Sequence, residues 1–234
     1  ASFALARTER NLWETIGEED SWLAAAEWAD SLGVDVINSS LGYTNNRYFW
    51  KDLDGQHTLV SRAAQMAFEK GIVVVNATGN DGDTDWEYLG APADAPGVLA
   101  VGGISPWTGI ATSFSSFGPT ADGRMKPNIS AFGNVIACGP NGLHQTSGTS
   151  FASPLVAGFV ACLLQYNPQL TAKEAFNLIQ QSGHLYPYFD YVHGYGIPQA
   201  DKVLKPNSAE NNDEVVFDWN KGEPACFINL KQSA

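Results

Sequence analysis

A serine heads an apolar segment in Gly148-Thr149-Ser150-Phe151-Ala152-Ser153-Pro154, and the apolar character continues to Leu164. Proline lacks an amide hydrogen and is accommodated in the first turn of a helix, so Pro154 predicts a helix that begins near Ser150. A helix that is apolar nearly all round is a buried one. A hydroxyl at its N-terminus lies in a positive field, which favours an alkoxide-like nucleophile and an oxyanion beside it. The plainer alternative is that Ser150 or Thr149 only caps the helix. A second segment, Val73-Val74-Val75-Asn76-Ala77-Thr78-Gly79-Asn80-Asp81-Gly82, is a β-branched run that ends in glycines. It reads as a buried strand, and it puts Asn80 in the turn at the strand's carboxyl end, where open α/β sheets bind ligands. Here the plainer alternative is a turn residue that tolerates positive φ.

Alternating strands and helices are expected to position these residues. Residues 2–7 alternate like a strand, and 21–32 form an amphipathic helix with Trp22, Ala25, Ala26 and Ala29 on one face. Residues 34–39, 72–76 and 98–104 read as strands, and 58–70, 172–181 and 199–204 as helices. Short strands and turns lead to Gly139. Repeated βα units predict an α/β fold, a mainly parallel sheet flanked by helices on both faces. Residues 1–204 form this body, 205–214 read as a polar linker, and 215–234 begin a small β-rich appendage.

Composition narrows the classes. The 234 residues, 44% hydrophobic and 16% charged, suit one globular domain or a large part of one. A net charge of −12 without a basic cluster argues against nucleic acid and anionic membrane surfaces as partners. No sequence run reads as a membrane span. The chain opens on Ala1, which suggests a processed, truncated or partial chain. Cys138, Cys162 and Cys226 lack metal-ligand spacing, and Cys162, inside the apolar helix, reads as a core residue.

The order of five motifs resembles the subtilases, the subtilisin-like serine proteases. Gly148 to Pro154 followed by Val156-Ala157-Gly158 resembles their nucleophile signature, and Ala77-Thr78-Gly79-Asn80 their oxyanion turn. Val36-Ile37-Asn38-Ser39-Ser40-Leu41-Gly42 resembles their substrate-binding strand. Ala91-Pro92-Ala93 and Phe114-Ser115-Ser116-Phe117-Gly118 fill the expected places between. The resemblance implies a serine endopeptidase in which Ser150 attacks a peptide carbonyl. Asn80 would donate its side-chain amide to the oxyanion, beside the Ser150 N–H. Ser40, Leu41 and Gly42 would pair with a peptide or protein substrate as an added strand. Ala77, Thr78 and Gly79 would leave room for the side chain before the scissile bond, in a pocket that Tyr43 would narrow. The resemblance also implies secretion or a cell-surface location.

The proton-transfer half of this chemistry is missing from the sequence. Acyl transfer by serine needs a base and an orienting carboxylate, and subtilases carry both upstream of the serine in the order Asp, His, Ser. Only His57 and His144 precede Ser150. His57, beside Asp52 and Asp54, reads as a surface residue, and His144 as a substrate-side or structural one. The preferred expectation is a C-terminal portion of the catalytic domain, incomplete at the N-terminus, with Asp and His supplied by a missing N-terminal segment and this chain alone inactive. The alternatives are an inactive peptide-binding relative and an α/β-hydrolase using Asp190 with His184 or His193. Against the latter, Gly148-x-Ser150-x-Ala152 departs from the G-x-S-x-G elbow. No metal or cofactor is expected. Ca²⁺ is the one candidate cation, through Asp81, Asp83, Asp85 and Glu87, although a short acidic loop is more simply solvated.

Overall fold

β-Branched residues with nowhere to go but the interior set the architecture. The computed structural model describes residues 1–10, 15–44, 47–139, 142–204, 215–218 and 227–230. Strands β1 (Val36–Ser39), β2 (Val73–Ala77), β3 (Val98–Ile104) and β4 (Ile129–Phe132) form one parallel sheet in sequential order. The register pairs Ser39 with Asn76, Ala77 with Val101 and Val101 with Ile129. Successive side chains on a strand face opposite sides, so both faces need cover. Val73, Val75, Leu99, Val101 and Ile129 pack with helices α3 (Thr149–Tyr166) and α4 (Ala172–Gln181). Val74 and Val98 pack on the opposite face with Trp22 and Ala26 of α1 (Gly17–Leu32) and Val60, Ala63 and Ala67 of α2 (Leu59–Glu69). This is the α/β sheet flanked by helices that the alternating pattern implies. Each such valine is fully buried, which contributes about 1.5–3 kcal/mol of apolar transfer energy.

Local chemistry explains the helix ends. The Thr58 hydroxyl accepts from the Ser61 N–H and caps α2, and Thr171 with Glu174 makes a capping box at α4. Helix α1 starts four residues before the expected position because Glu18, Glu19 and Asp20 occupy its first turn. Glu18 accepts from the Thr15 and Arg10 N–H groups, which hold its carboxyl below the usual range. Arg47 ion-pairs with Glu18 (3.0 Å) and Glu19 (3.2 Å), which ties the loop after Gly42 to this helix end.

Four expectations need correction. Residues 2–7 are not a strand: they join no sheet ladder among the described residues, and Phe3 and Leu5 are each 89% exposed. Helix α3 is not buried all round. Ala152, Val156, Val160 and Leu163 face the core, while Leu155, Tyr166 and Cys162 are exposed, so Cys162 is not a core residue. With 18 residues, α3 is long and apolar enough to cross a membrane by composition, yet it lies across all four strands of the sheet. Pro154 is the sixth helical residue, beyond the first turn, although the helix does begin at Thr149.

Between β4 and α3 stands an antiparallel hairpin, β5 (Asn134–Gly139) with β6 (Gly142–Ser147). Helix α5 spans Ala200–Leu204. The chain divides into two units, Ala1–Leu204 and Lys205–Ala234. In the second, β7 (Val215–Asp218) pairs antiparallel with β8 (Phe227–Leu230). The expected linker, 205–214, lies outside the described residues.

Candidate active site

Parallel pairing brings the carboxyl ends of β1 and β2 to the same edge of the sheet. Ser40-Leu41-Gly42 continue from one and Thr78-Gly79-Asn80-Asp81 from the other. The N-terminus of α3 reaches this edge through Gly148, whose N–H donates to the Gly133 carbonyl at 2.8 Å. Gly148 has φ +147, a backbone conformation that side-chain-bearing residues rarely adopt. It is also the N-cap, and no side chain caps the helix, so neither Thr149 nor Ser150 serves as the cap.

The first amides of a helix have no intrahelical acceptor. Here the Thr149 N–H donates to Asn80 Oδ1 at 2.8 Å, and the Phe151 N–H to the Gly148 carbonyl. The Ser150 N–H is claimed by no acceptor among the described residues. The Thr149 hydroxyl lies 3.1 Å from both the Gly79 carbonyl and Asn80 Oδ1. With Asn80 Oδ1 accepting from Thr149, Nδ2 is the end of the carboxamide left to donate. Asn80 does not use positive φ; Gly79 does, at +117. The helix amide of Ser150 and the Asn80 carboxamide thus stand beside the same cavity as the Ser150 hydroxyl, and two such donors together can stabilise a tetrahedral oxyanion.

A cavity of about 310 Å³ opens beside Ser150, lined by Ser40, Leu41, Gly42, Ala77, Gly79 and Asn80, as expected, and also by Thr44, Asp81, Gly90 and Thr149. Thr78 departs from expectation. It is 1% exposed, holds Gly90 and Val101 through its main chain, and does not line the cavity. Tyr43 does not narrow it either. Its ring is buried under the Arg47 guanidinium, and its hydroxyl donates to Glu9 Oε1 at 2.9 Å. Burial and that carboxylate push its ionisation upward, so it remains a neutral donor. The sequence signal for Gly90 was its place beside Ala91-Pro92; Thr44 carries no signal. A second cavity, about 440 Å³, lies between Trp107 and the β5–β6 hairpin and contains none of these residues.

None of the chain's four histidines makes a hydrogen bond to Ser150. The His57 side chain is 61% exposed and 3.9 Å from Asp52. His144 is exposed on β6, its Nδ1 3.4 Å from the Gly142 carbonyl. His184 Nδ1 accepts from the Ile197 N–H, and His193 Nε2 from the Ala111 N–H, with His193 Nδ1 facing Asp190. His193 therefore lacks the free nitrogen that an α/β-hydrolase base needs. Ser150 Oγ donates instead to the Ser40 carbonyl at 3.2 Å. In the acidic loop, Asp83 accepts from the Ser113 hydroxyl at 3.2 Å. Among the described residues no cluster of three or more His, Cys, Asp or Glu is placed to hold a metal ion.

Comparison with known proteins fits this geometry. A model of the subtilase family matches residues 10–196. Subtilisin DY of Bacillus licheniformis is 34% identical over 167 residues, covering 71% of this chain and 56% of that protein. The serine protease AprX of Bacillus subtilis (strain 168) is 36% identical over 194 residues, covering 73% and 43%. The chain thus spans about half the length of the curated relatives it matches. Among solved structures, the prenylagaramide maturation protease PagA superposes with a TM-score of 0.67 at 26% identity, covering 84% of this chain and 69% of that one. Sphericase gives 0.62 at 26%, covering 78% and 62%.

Proposed function

The chain belongs to the subtilase family, and from that premise we propose that it supplies the nucleophile, the oxyanion donors and the substrate strand of a serine endopeptidase. Ser150 attacks the scissile carbonyl, and the oxygen that becomes negative is met by Asn80 Nδ2 and the Ser150 N–H. The observation that carries this reading is the Thr149 N–H held on Asn80 Oδ1, which fixes the carboxamide oxygen on the helix and leaves its amide end to donate. An extended peptide pairs with Ser40-Leu41-Gly42 by strand addition. The side chain before the scissile bond enters the cavity, whose walls at Ser40, Thr44 and Asp81 are polar. A secreted or cell-surface location fits a protease of this kind.

The general base and its orienting carboxylate belong, on this reading, to a segment of the same protein upstream of Ala1. Two observations support it: no histidine of the chain is hydrogen-bonded to Ser150, and among the described residues β1 pairs only with β2. An unpaired strand edge beside a core invites aggregation. Residues 1–234 alone are therefore expected to be poorly soluble and to leave a chromogenic peptide uncleaved. Supplying the upstream segment by fusion or in trans should restore solubility and hydrolysis together. Robust Ser150-dependent turnover by 1–234 alone would overturn this assignment and make His144 and His57 the first candidates for the base.

One observation favours a second reading, a peptide-binding relative without turnover: Ser150 Oγ rests on a carbonyl rather than on a base. It predicts that no covalent label attaches to Ser150 even in the complete protein. For the acidic loop we propose weak Ca²⁺ binding or none, since Asp83 is already hydrogen-bonded to Ser113. Calorimetric titration should give the same response for the parent and an Asp83→Asn/Asp85→Asn variant. Loss of a tight site in the variant would establish calcium there.

A further inference from the structure

We propose that Ser40 is a positioning residue for the nucleophile: its hydroxyl replaces the main-chain donor that Pro154 removes, and so fixes where Ser150 sits. The inference rests on Ser150 being the nucleophile. In an α-helix the carbonyl of residue i accepts from the N–H of residue i+4. For Ser150 that donor would be residue 154, a proline, which has no N–H. A carbonyl left without a partner away from water is costly. Ser40 Oγ donates to it at 2.9 Å. The return bond runs from Ser150 Oγ to the Ser40 carbonyl at 3.2 Å. Two residues 110 apart in the chain thus exchange side-chain donors for main-chain acceptors.

A neighbouring pair reinforces the contact. Asn38 Nδ2 lies 3.4 Å from Ser40 Oγ, and Asn38 Oδ1 accepts from the Ser153 hydroxyl at 2.7 Å. Asn38 and Ser40 belong to the substrate strand and its continuation, while Ser150, Ser153 and Pro154 belong to α3. The proline therefore exports a hydrogen-bonding requirement from the helix, and the substrate strand meets it. The two Ser40 contacts have separate fates. Ser150 Oγ must leave the Ser40 carbonyl to attack, whereas the Ser40 hydroxyl can stay on the Ser150 carbonyl throughout. Displacements of about 1 Å at a reacting atom cost on the order of 10²-fold in rate, so holding the main chain of the nucleophile is a catalytic requirement. Ser40 meets it through another residue's backbone.

The test uses the complete protein. Ser40→Ala should slow fluorophosphonate labelling of Ser150 and lower kcat about tenfold, the loss of roughly one hydrogen bond, with KM nearly unchanged. Ser40→Thr, which keeps the hydroxyl, should recover most of the rate. Pro154→Ala returns an N–H to the helix, so in that background Ser40→Ala should cost less than about twofold, a non-additivity of the kind neighbouring residues show. Equal cost in both backgrounds, or an effect on KM alone, would overturn the proposal. Amide exchange in the first turn of α3 reads the same contact without chemistry. It should quicken about tenfold in Ser40→Ala and stay at the parent rate in Ser40→Thr. Unchanged exchange in Ser40→Ala would sink the positioning role. A parent protein that fails to label at Ser150 would instead sink the nucleophile assignment, leaving the exchange result to decide on Ser40.

Discussion

Ser150→Ala in the complete protein is expected to abolish covalent labelling by a fluorophosphonate and to lower peptide hydrolysis by about 10⁶-fold, the scale set by loss of the nucleophile in subtilisin of the same family. The expectation follows from position. Ser150 is the second residue of α3, in the positive field of a helix whose N-terminus opens on a cavity. The change from hydroxyl to methyl leaves Thr149 and Asn80 in place, so the fold has no reason to fail with the chemistry. Intact-mass measurement of the labelled protein, with the parent and the variant at equal concentration, reads the result. A label that persists in Ser150→Ala would identify a different nucleophile and remove the central assignment.

Asn80→Ala should lower kcat by about 10²–10³-fold with a smaller change in KM; subtilisin, of the same family, sets this scale for the loss of one oxyanion donor. Besides the proposed oxyanion donor, this substitution removes the Oδ1 that accepts from the Thr149 N–H at the start of α3. Asn80→Asp separates them. It keeps an acceptor for Thr149 and removes the donor, placing negative charge where the oxyanion forms. Its kcat should fall at least as far as that of Asn80→Ala, while its melting temperature stays closer to the parent. A loss expressed mainly in KM would make Asn80 a substrate-positioning or turn residue.

Much of the site is legible in the sequence because its chemistry depends on local order. Ser150, Asn80 and the Ser40-Leu41-Gly42 run each sit where a strand or helix ends, and glycine, β-branched and proline residues mark those ends strongly. The sheet is legible for the same reason: β2 and β3 are buried throughout, and apart from Asn76, whose amide donates to the Leu41 carbonyl, their side chains are apolar. The β5–β6 hairpin is not legible as a hairpin, because most of its residues are exposed and its residue types do not alternate between apolar and polar. Residues 2–7 depart in the opposite sense, with an alternation that no strand among the described residues answers. Contacts between distant residues left no local trace. Arg47 meets Glu18 and Glu19 across 29 and 28 positions, and the Tyr43 hydroxyl meets Glu9 across 34.

Helix α3 carries Ser150, the proposed nucleophile, at one end and packs across every strand of the main sheet along its length. Folding and chemistry therefore place their demands on one segment of 18 residues. Shortening a buried aliphatic side chain such as Val156, Val160 or Leu163 opens a cavity that costs a few kcal/mol, a sizeable share of a typical domain's stability of about 5–15 kcal/mol. The same relaxation can tilt the helix and carry Ser150 off its line of attack. A selection that scores only activity would flag these aliphatic positions as severely as the serine itself. Separating the two kinds of loss needs the amount of folded protein measured beside its rate. By this logic the helix has little freedom to drift in sequence, and its exposed positions, Leu155, Cys162 and Tyr166, are where variation is most readily absorbed.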